Sequence, residues 1–241
     1  MILENTVTIC GAIASPFYPC YTKDDIGYYR IYVDTPRYSG TVDTIPVIIR
    51  DNMIDVSKKL QGKIIYLKGE LRSRNRIVDD RSRLDLFVFA TEVRLVEEDT
   101  PAFENHILMD CHLNKPHTHR RTPAGYLVTD LFASVRKGYG ASSYVPCIAW
   151  GKGAKDATSL NIGDPFRIYG RIQSREYTKV KEDLSSEQRI TYEVSISRIE
   201  IRGVNVTDYT PVSEDNITKT YIPGFQFEPK TRELFSEKDF S

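Results

Sequence analysis

Several patterns that mark common protein classes are absent from this sequence of 241 residues. Its four cysteines show no C-x-x-C spacing, and Cys10, Cys111 and Cys147 lie inside apolar runs where a thiol acts as a small core group. Nowhere do 18 apolar residues run together, and the N-terminal residues lack a basic region followed by an apolar one. We therefore expect no membrane association and a location in a reducing cytoplasm.

Catalytic and metal-binding patterns are also missing. Residues 151–155 do not complete the phosphate loop G-x-x-x-x-G-K-[ST], no Ser/His/Asp or Cys/His arrangement stands out, and the acidic residues are scattered rather than paired. His112, His117 and His119 stand near Cys111, but they would span a strand and a loop without a second pair at standard spacing. The sequence predicts no enzyme, no cofactor and no metal site, and residues 117–121 are better interpreted as a basic loop.

The chain as a whole has no net charge, but its separate regions do. The 33 basic and 33 acidic side chains cancel, so net charge gives no argument for a nucleic-acid partner. Residues 105–203 carry 15 basic and 10 acidic side chains (+5), whereas residues 1–104 carry 14 and 16 (−2) and residues 204–241 carry 4 and 7 (−3). A basic region followed by an acidic tail suits a polyanion that binds the former and is repelled by the latter.

The most informative feature that is present is an internal repeat. Two glycines, Gly62 and Gly69, recur as Gly163 and Gly170, and five further residues recur after one hundred positions. Those five are Asn5, Ile13, Tyr32, Arg37 and Pro46, which match Asn105, Leu113, Phe132, Lys137 and Pro146. The repeat predicts two copies of one domain, at residues 1–96 (the first copy) and 105–203 (the second copy), with a linker at 97–104 and a flexible acidic tail at 204–241.

Period-2 alternation of apolar residues dominates both copies and predicts an all-β protein. Each copy shows three strands, a short helix at 52–60 or 153–160, and two more strands. This order is typical of an OB-fold, a five-stranded Greek-key barrel with a helix between its third and fourth strands. The polar segments between the first two strands are interpreted as loops. We therefore predict two tandem OB-folds.

The second copy has aromatic side chains at three positions where the first copy has none. Tyr144, Trp150 and Tyr177 stand at the positions of Thr44, Arg50 and Arg76. Alternation places Val145, Cys147 and Ala149 inside the barrel and leaves Tyr144, Ile148 and Trp150 outside. On the fourth strand it likewise leaves five residues outside: Tyr169, Arg171, Gln173, Arg175 and Tyr177.

Aromatic rings between arginines on an OB-fold face favour single-stranded nucleic acid as the ligand, because bases stack on rings and cations neutralise phosphates. Packing under a loop or at an oligomer contact is the alternative interpretation for any one ring. Further cations in or beside flanking loops are Arg120, Arg121, Arg136, Lys137 and Lys152, although a solvated charge is the alternative for each of them.

Three segments of the second copy resemble bacterial single-stranded DNA-binding protein, whose pattern includes TPSG, a strand ending in W/F-G-K, and G-R-[IL]-x-[ST]-R. They are residues 121–125 (RTPAG), 144–152 (YVPCIAWGK) and 169–177 (YGRIQSREY). The resemblance implies that Tyr144, Trp150 and Tyr177 stack on bases and that Arg171 and Arg175 belong to the DNA-binding strand. It places Tyr139 in a hairpin loop where the family often has another stacking ring.

The same resemblance implies an assembly of four OB-folds, which two domains per chain provide as a homodimer. It also implies recruitment of replication and repair proteins through the tail, although the last residues, 237–241 (EKDFS), contain a lysine and end on serine. The first copy has Glu70 in place of Arg171 and keeps the cations Arg72, Arg74 and Arg76 without the rings. We expect it to bind DNA weakly or to serve assembly, with Tyr28, Tyr29, Tyr32, Phe87 and Phe89 in its core or interfaces.

The sequence thus predicts a bacterial, nucleoid-associated protein of the cytoplasm that coats and protects single-stranded DNA in replication, recombination and repair. Two other hypotheses belong to different classes. The chain could be a primosome-type accessory or scaffold whose OB-folds bind proteins. It could also be an OB-fold subunit of a nuclease or tRNA-modifying complex, with the catalytic residues on another chain.

Overall fold

The computed structural model describes residues 4–78, 81–97, 103–136, 141–180 and 186–201. In these ranges each copy contains six strands, and the second copy adds one short helix. The first copy contains β1 (Asn5–Ile13), β2 (Tyr18–Lys23), β3 (Ile26–Pro36), β4 (Val42–Arg50), β5 (Ile64–Val78) and β6 (Arg81–Val96). The second contains β7 (Glu104–Leu113), β8 (Thr118–Arg121), β9 (Leu127–Arg136), β10 (Ser142–Trp150), α1 (Gly151–Ala157), β11 (Pro165–Val180) and β12 (Ser186–Ile201).

Each copy closes into a barrel. In the first copy β1 pairs with both β3 and β5, and β4 pairs in parallel with β6, so the sheet returns to its first strand. The second copy repeats these pairings, with β7 between β9 and β11 and with β10 parallel to β12. This set of strand pairings is that of the OB-fold. The predicted all-β class and OB-fold are therefore confirmed.

Alternation along the strands builds the barrel interior as the pattern predicted. Val145, Cys147 and Ala149 are buried in the core, as are Ile168 and Ile172 on β11. Most of the buried apolar residues of both copies belong to one continuous cluster. All four cysteines are buried, and none forms a disulfide bond among the described residues.

The repeated glycines at 69 and 170 mark a shared irregularity. The pairing of β5 with β6 shifts register between Lys68 and Gly69, and that of β11 with β12 shifts between Tyr169 and Gly170. A Cβ at Gly170 would lie 2.3 Å from the carbonyl oxygen of Ser195. Only glycine lets the two backbones approach this closely where the strands bend.

The prediction of a helix in both copies is wrong for the first. Residues 52–60 form a series of turns, whereas α1 of the second copy is a true helix that begins two residues before the predicted range. In the first copy the Asp55 carboxylate accepts hydrogen bonds from the N–H and hydroxyl of Ser57, at 3.1 and 2.6 Å. Such local bonds compete with helical ones.

The two segments interpreted as polar loops each contain a strand instead. β2 pairs with β3, and β8 pairs with β9, so these strands form the two edges of the sheet. All four residues of β8 are exposed. Its sequence, THRR, carries no apolar alternation, and pairing with β9 defines it as a strand.

The two barrels join through their first strands into one sheet of twelve described strands. β1 runs antiparallel to β7, and Val7 lies opposite Ile107. Since these residues occupy the same position in the two copies, the copies are related at this point by a local twofold axis.

The hairpin β11–β12 of the second copy reaches β4 of the first copy, and the hairpin β5–β6 of the first copy reaches β10 of the second. The Ser174 N–H donates to the Asp43 carboxylate at 2.8 Å. At the equivalent place the Ser73 N–H donates to the Ser143 hydroxyl at 3.1 Å. These reciprocal bonds fix the face of each OB-fold relative to the other.

Candidate nucleic-acid interface

Trp150 lies at the end of β10, immediately before α1, and the residue is 43% exposed. Its backbone pairs with that of Val128 on β9. Because the inward residues of β10 fill the barrel, Trp150 projects from the outer face. The indole is therefore accessible to a flat ligand.

Tyr144 lies at the opposite end of β10, at the junction of the two copies. Its ring is parallel to that of Phe132, with centroids 5.9 Å apart and an interplanar angle of 5°. Leu84 of the first copy belongs to the same apolar cluster, and the Tyr144 N–H donates to the Ser73 hydroxyl at 2.7 Å. The ring is half-buried, so it combines a packing role with a partly accessible surface.

The remaining predicted rings are described only in part. Tyr177 lies on β11 with its backbone opposite Arg189, and its side chain is outside the description. Tyr139 and Lys137 lie outside the described residues. Their roles remain predictions.

Arg171 and Arg175 occupy different environments on β11. Arg171 is half-buried and donates to the Gln173 side-chain oxygen at 3.3 Å. Burial and then the charge of Arg37 lower the pKa of Arg171, and Asp43 acts in the opposite sense. Arg171 therefore faces the junction, whereas Arg175 is exposed.

Gln173, which alternation placed on the outer face, is only 8% exposed. Its amide donates to Glu193 at 2.7 Å. The outer side of β11 is therefore covered along part of its length near the first copy.

Of the predicted flanking cations, three lie near the Trp150 end of the barrel and Arg136 does not. Arg120 on β8 donates to the Asp130 carboxylate at 2.7 and 3.1 Å. Arg121 is exposed and donates to the Gly125 carbonyl at 3.1 Å. Lys152 is exposed in α1, and Arg136 is exposed at the far end of β9. Lys152 thus follows Trp150 directly along the chain, whereas Arg120 and Arg121 lie on β8, which is separated from β10 by β9, and Arg136 lies apart from all three.

Tyr126 is an exposed ring that the sequence reasoning did not select. It precedes β9 by one residue and is 66% exposed. Val128, two residues further along the chain, pairs with Trp150, so Tyr126 lies close in sequence to the strand position opposite the indole. Its N–H donates to the Thr122 hydroxyl at 3.1 Å, within the turn that the segment TPAG builds. Extending the predicted strand by one residue at its start would have included it.

The equivalent face of the first copy contains a buried ion network. The Arg30 guanidinium donates twice to the Asp85 carboxylate, at 3.1 and 2.6 Å, and Arg74 donates to it at 2.8 Å. Burial alone would raise the pKa of Asp85, but the charges of Arg30 and Arg74 outweigh it and lower that pKa. Arg74 is therefore engaged within the protein, as is Arg72, which pairs with Glu70 at 2.9 Å.

In the described ranges no helix is long and apolar enough to cross a membrane. Within the same ranges no three histidine, cysteine or acidic residues come together in a way that could hold a metal ion.

No family model matches the sequence, and no curated protein matches it by sequence. Solved structures do match the fold. The wild-type single-stranded DNA-binding protein from Thermus aquaticus superposes with a TM-score of 0.66 at 18% identity, covering 87% of this chain and 98% of that one. A deletion mutant of it gives a TM-score of 0.62 at 19% identity, covering 88% and 98%.

A third match is shorter. The dimeric N-terminal domain of PriB from Thermoanaerobacter tencongensis is 29% identical and covers 39% of this chain and 98% of its own, with a TM-score of 0.34. That score is too low to support an argument. The Thermus aquaticus structures span nearly the whole described architecture, and the chain therefore has the fold of bacterial single-stranded DNA-binding protein.

Proposed function

We propose that this protein binds single-stranded DNA without strong sequence preference, mainly through its second OB-fold. The observation that carries the proposal is the exposed Trp150 indole on the outer face of β10. Lys152 follows it in α1, Tyr126 is exposed just before β9, the strand that pairs with β10, and Arg121 lies on β8, the strand beyond β9. A base stacked on an aromatic side chain is stabilised by about 1–3 kcal/mol whatever its identity. The cations add contacts to phosphates, which salt weakens.

The arrangement supports a wider role in which the protein coats single strands during replication, recombination and repair, in the cytoplasm of a bacterium and at its nucleoid. A homodimer would present four OB-folds to one strand. The tail from residue 204, which lies outside the described residues, would recruit replication and repair proteins. Tyr144, Tyr177, Arg171, Arg175 and Tyr139 would extend the path of the strand away from Trp150.

The test is a titration of the full chain with oligo-dT, followed by tryptophan fluorescence. Trp150 is the single tryptophan, so the signal reports one face. We expect strong quenching and tight binding that weakens as salt rises. Tight binding without quenching would refute the site, and no binding at all would refute the function.

The alternative is an accessory or scaffold protein whose OB-folds chiefly bind proteins. The half-buried Tyr144 ring favours it, because this ring packs on Phe132 and beside Leu84 and offers less surface to a base. A third possibility, a subunit of a nuclease or tRNA-modifying complex, requires a catalytic partner that copurification would reveal. The oligo-dT titration separates these from an autonomous DNA binder.

A further inference from the structure

Leu84 of the first copy belongs to a small apolar cluster with Phe132 and Tyr144 of the second copy, and this cluster lies apart from the main core. Leu84 and Phe132 are buried, whereas Tyr144 is half-buried. The Phe132 and Tyr144 rings lie parallel to each other. The Tyr144 ring is therefore supported by side chains of both copies, and part of its surface stays accessible.

The backbone next to this ring is also held by the first copy. The Tyr144 N–H donates to the Ser73 hydroxyl at 2.7 Å, and the Ser73 N–H donates to the Ser143 hydroxyl at 3.1 Å. At the equivalent place in the other direction, the Thr44 N–H donates to the Ser174 hydroxyl at 3.2 Å. Since the same bond forms at a position without a ring, it sets the place of the strand, and the apolar cluster decides how the ring is oriented.

Leu84 lies on a restrained part of β6. The next residue, Asp85, accepts hydrogen bonds from Arg30 at 3.1 and 2.6 Å and from Arg74 at 3.0 and 2.8 Å. Paired arginine–carboxylate bonds add geometric specificity. The backbone of Leu84 pairs with that of Asn75, which follows Arg74 on β5. The support beneath the Tyr144 ring is therefore fixed from inside the first copy.

We propose that Leu84 is a positioning residue for strand binding at Tyr144, supplied by the first copy to the site of the second. A ring that is already held in its bound orientation loses less conformational freedom when a base stacks on it, so affinity rises without a new contact to the ligand. Leu84 is only 4% exposed, so it acts through the ring. The inference rests on the proposed function, in which Tyr144 extends the path of the strand from Trp150. It makes this end of the second copy's site incomplete without the first copy.

The test is a double-mutant cycle on the full chain with Leu84→Ala and Tyr144→Ala, and the fluorescence anisotropy of a labelled oligo-dT measures affinity. Leu84→Ala should weaken binding about 2- to 10-fold, because the ring must then be ordered when the strand binds. In the Tyr144→Ala background the same change should have little effect, since no ring remains to be positioned. Leu84→Ala should leave the salt slope unchanged, because no phosphate contact is lost.

The matched control is Leu86→Ala on the same strand. Leu86 is as deeply buried, at 3% exposure, but it packs in the main core. Its truncation should destabilise the protein to a comparable degree without weakening oligo-dT binding. Leu84→Met conserves the side-chain volume and should retain the wild-type affinity. Circular dichroism checks that each variant is folded, and Leu84→Val replaces the alanine variant in the cycle if that variant does not fold.

Wild-type affinity of the folded Leu84 variant, or an equal loss with and without the Tyr144 ring, would overturn the positioning role and leave the Trp150 site standing. If Tyr144→Ala alone binds like the wild type, Tyr144 is not part of the site and the role of Leu84 fails with it. If the wild-type chain does not bind oligo-dT at all, the proposed function fails first.

Discussion

Trp150 and Arg50 occupy the same position in the two copies, yet they give the two outer faces different chemistry. The indole is largely apolar and open to solvent, whereas the guanidinium is half-buried beside Tyr28. A ring contributes stacking and a cation contributes phosphate contact. Single substitutions at such positions should therefore separate the two contributions.

The variant Trp150→Ala should bind oligo-dT about 5- to 150-fold more weakly, because loss of one stacked base costs about 1–3 kcal/mol. Since the variant has no tryptophan, binding is measured by the fluorescence anisotropy of a labelled oligo. Trp150→Phe keeps a ring and should lose much less. If the alanine variant is folded and keeps the wild-type affinity, Trp150 is not part of the binding site.

The variant Asp85→Asn should lower the free energy of unfolding by about 3–5 kcal/mol, because it leaves Arg30 and Arg74 buried without their counter-charge. Urea unfolding measures this, with Glu92→Gln as the control, since its pair with Lys68 is exposed and 3.9 Å long. A loss no larger than the control's would show that the network adds nothing.

The pH dependence of stability follows from the same network. The pKa of Asp85 is lowered in the folded state, so its contribution is present above the carboxyl's ordinary pKa and is lost as pH falls through the lowered value. Wild type should therefore lose more stability than Asp85→Asn under acid conditions. Parallel urea curves from neutral to acid pH would show it, and an identical pH dependence in the two proteins would contradict it.

At the scale of elements, the hairpins β5–β6 and β11–β12 each contain a register shift at a glycine, and each hairpin contacts the other copy. A register shift of this kind bends a pair of strands, and each bent hairpin reaches the other copy. The same irregularity in both copies keeps the junction symmetric.

The variant Gly170→Ala should destabilise the protein, because its Cβ would meet the Ser195 carbonyl oxygen at 2.3 Å. The matched control is Gly153→Ala in α1, where a Cβ meets nothing within 4 Å and where alanine favours the helix by about 1 kcal/mol. Thermal unfolding of the two variants should therefore shift in opposite directions. Equal melting temperatures of the two variants would mean that β11 and β12 accommodate the added Cβ at position 170.

At the scale of the molecule, the two barrels depend on each other through the pairing of β1 with β7. Separating the copies would expose a long unpaired edge on each of them, and such edges associate. Because Val7 lies opposite Ile107, its equivalent in the repeat, a second identical copy offers the same pairing.

We therefore predict that residues 105–203, expressed alone, form a dimer rather than a monomer. Sedimentation velocity over a range of concentrations measures the state, and the full chain provides the reference. A folded fragment that stays monomeric at every concentration would show that β7 needs β1 specifically. Comparing its oligo-dT affinity with that of residues 1–104 also tests how binding is divided between the copies.

The repeat, the all-β class and the inward residues of the barrels follow from the sequence by itself, because alternation and glycine spacing are local properties of the chain. Tertiary structure alone decided two other features. It brought β2 and β8 to the sheet edges, and it placed the rings of Tyr21, Tyr28 and Phe89 next to one another. Both depend on pairing or contact between different strands, and the periodicity within one strand does not record which strands become its neighbours.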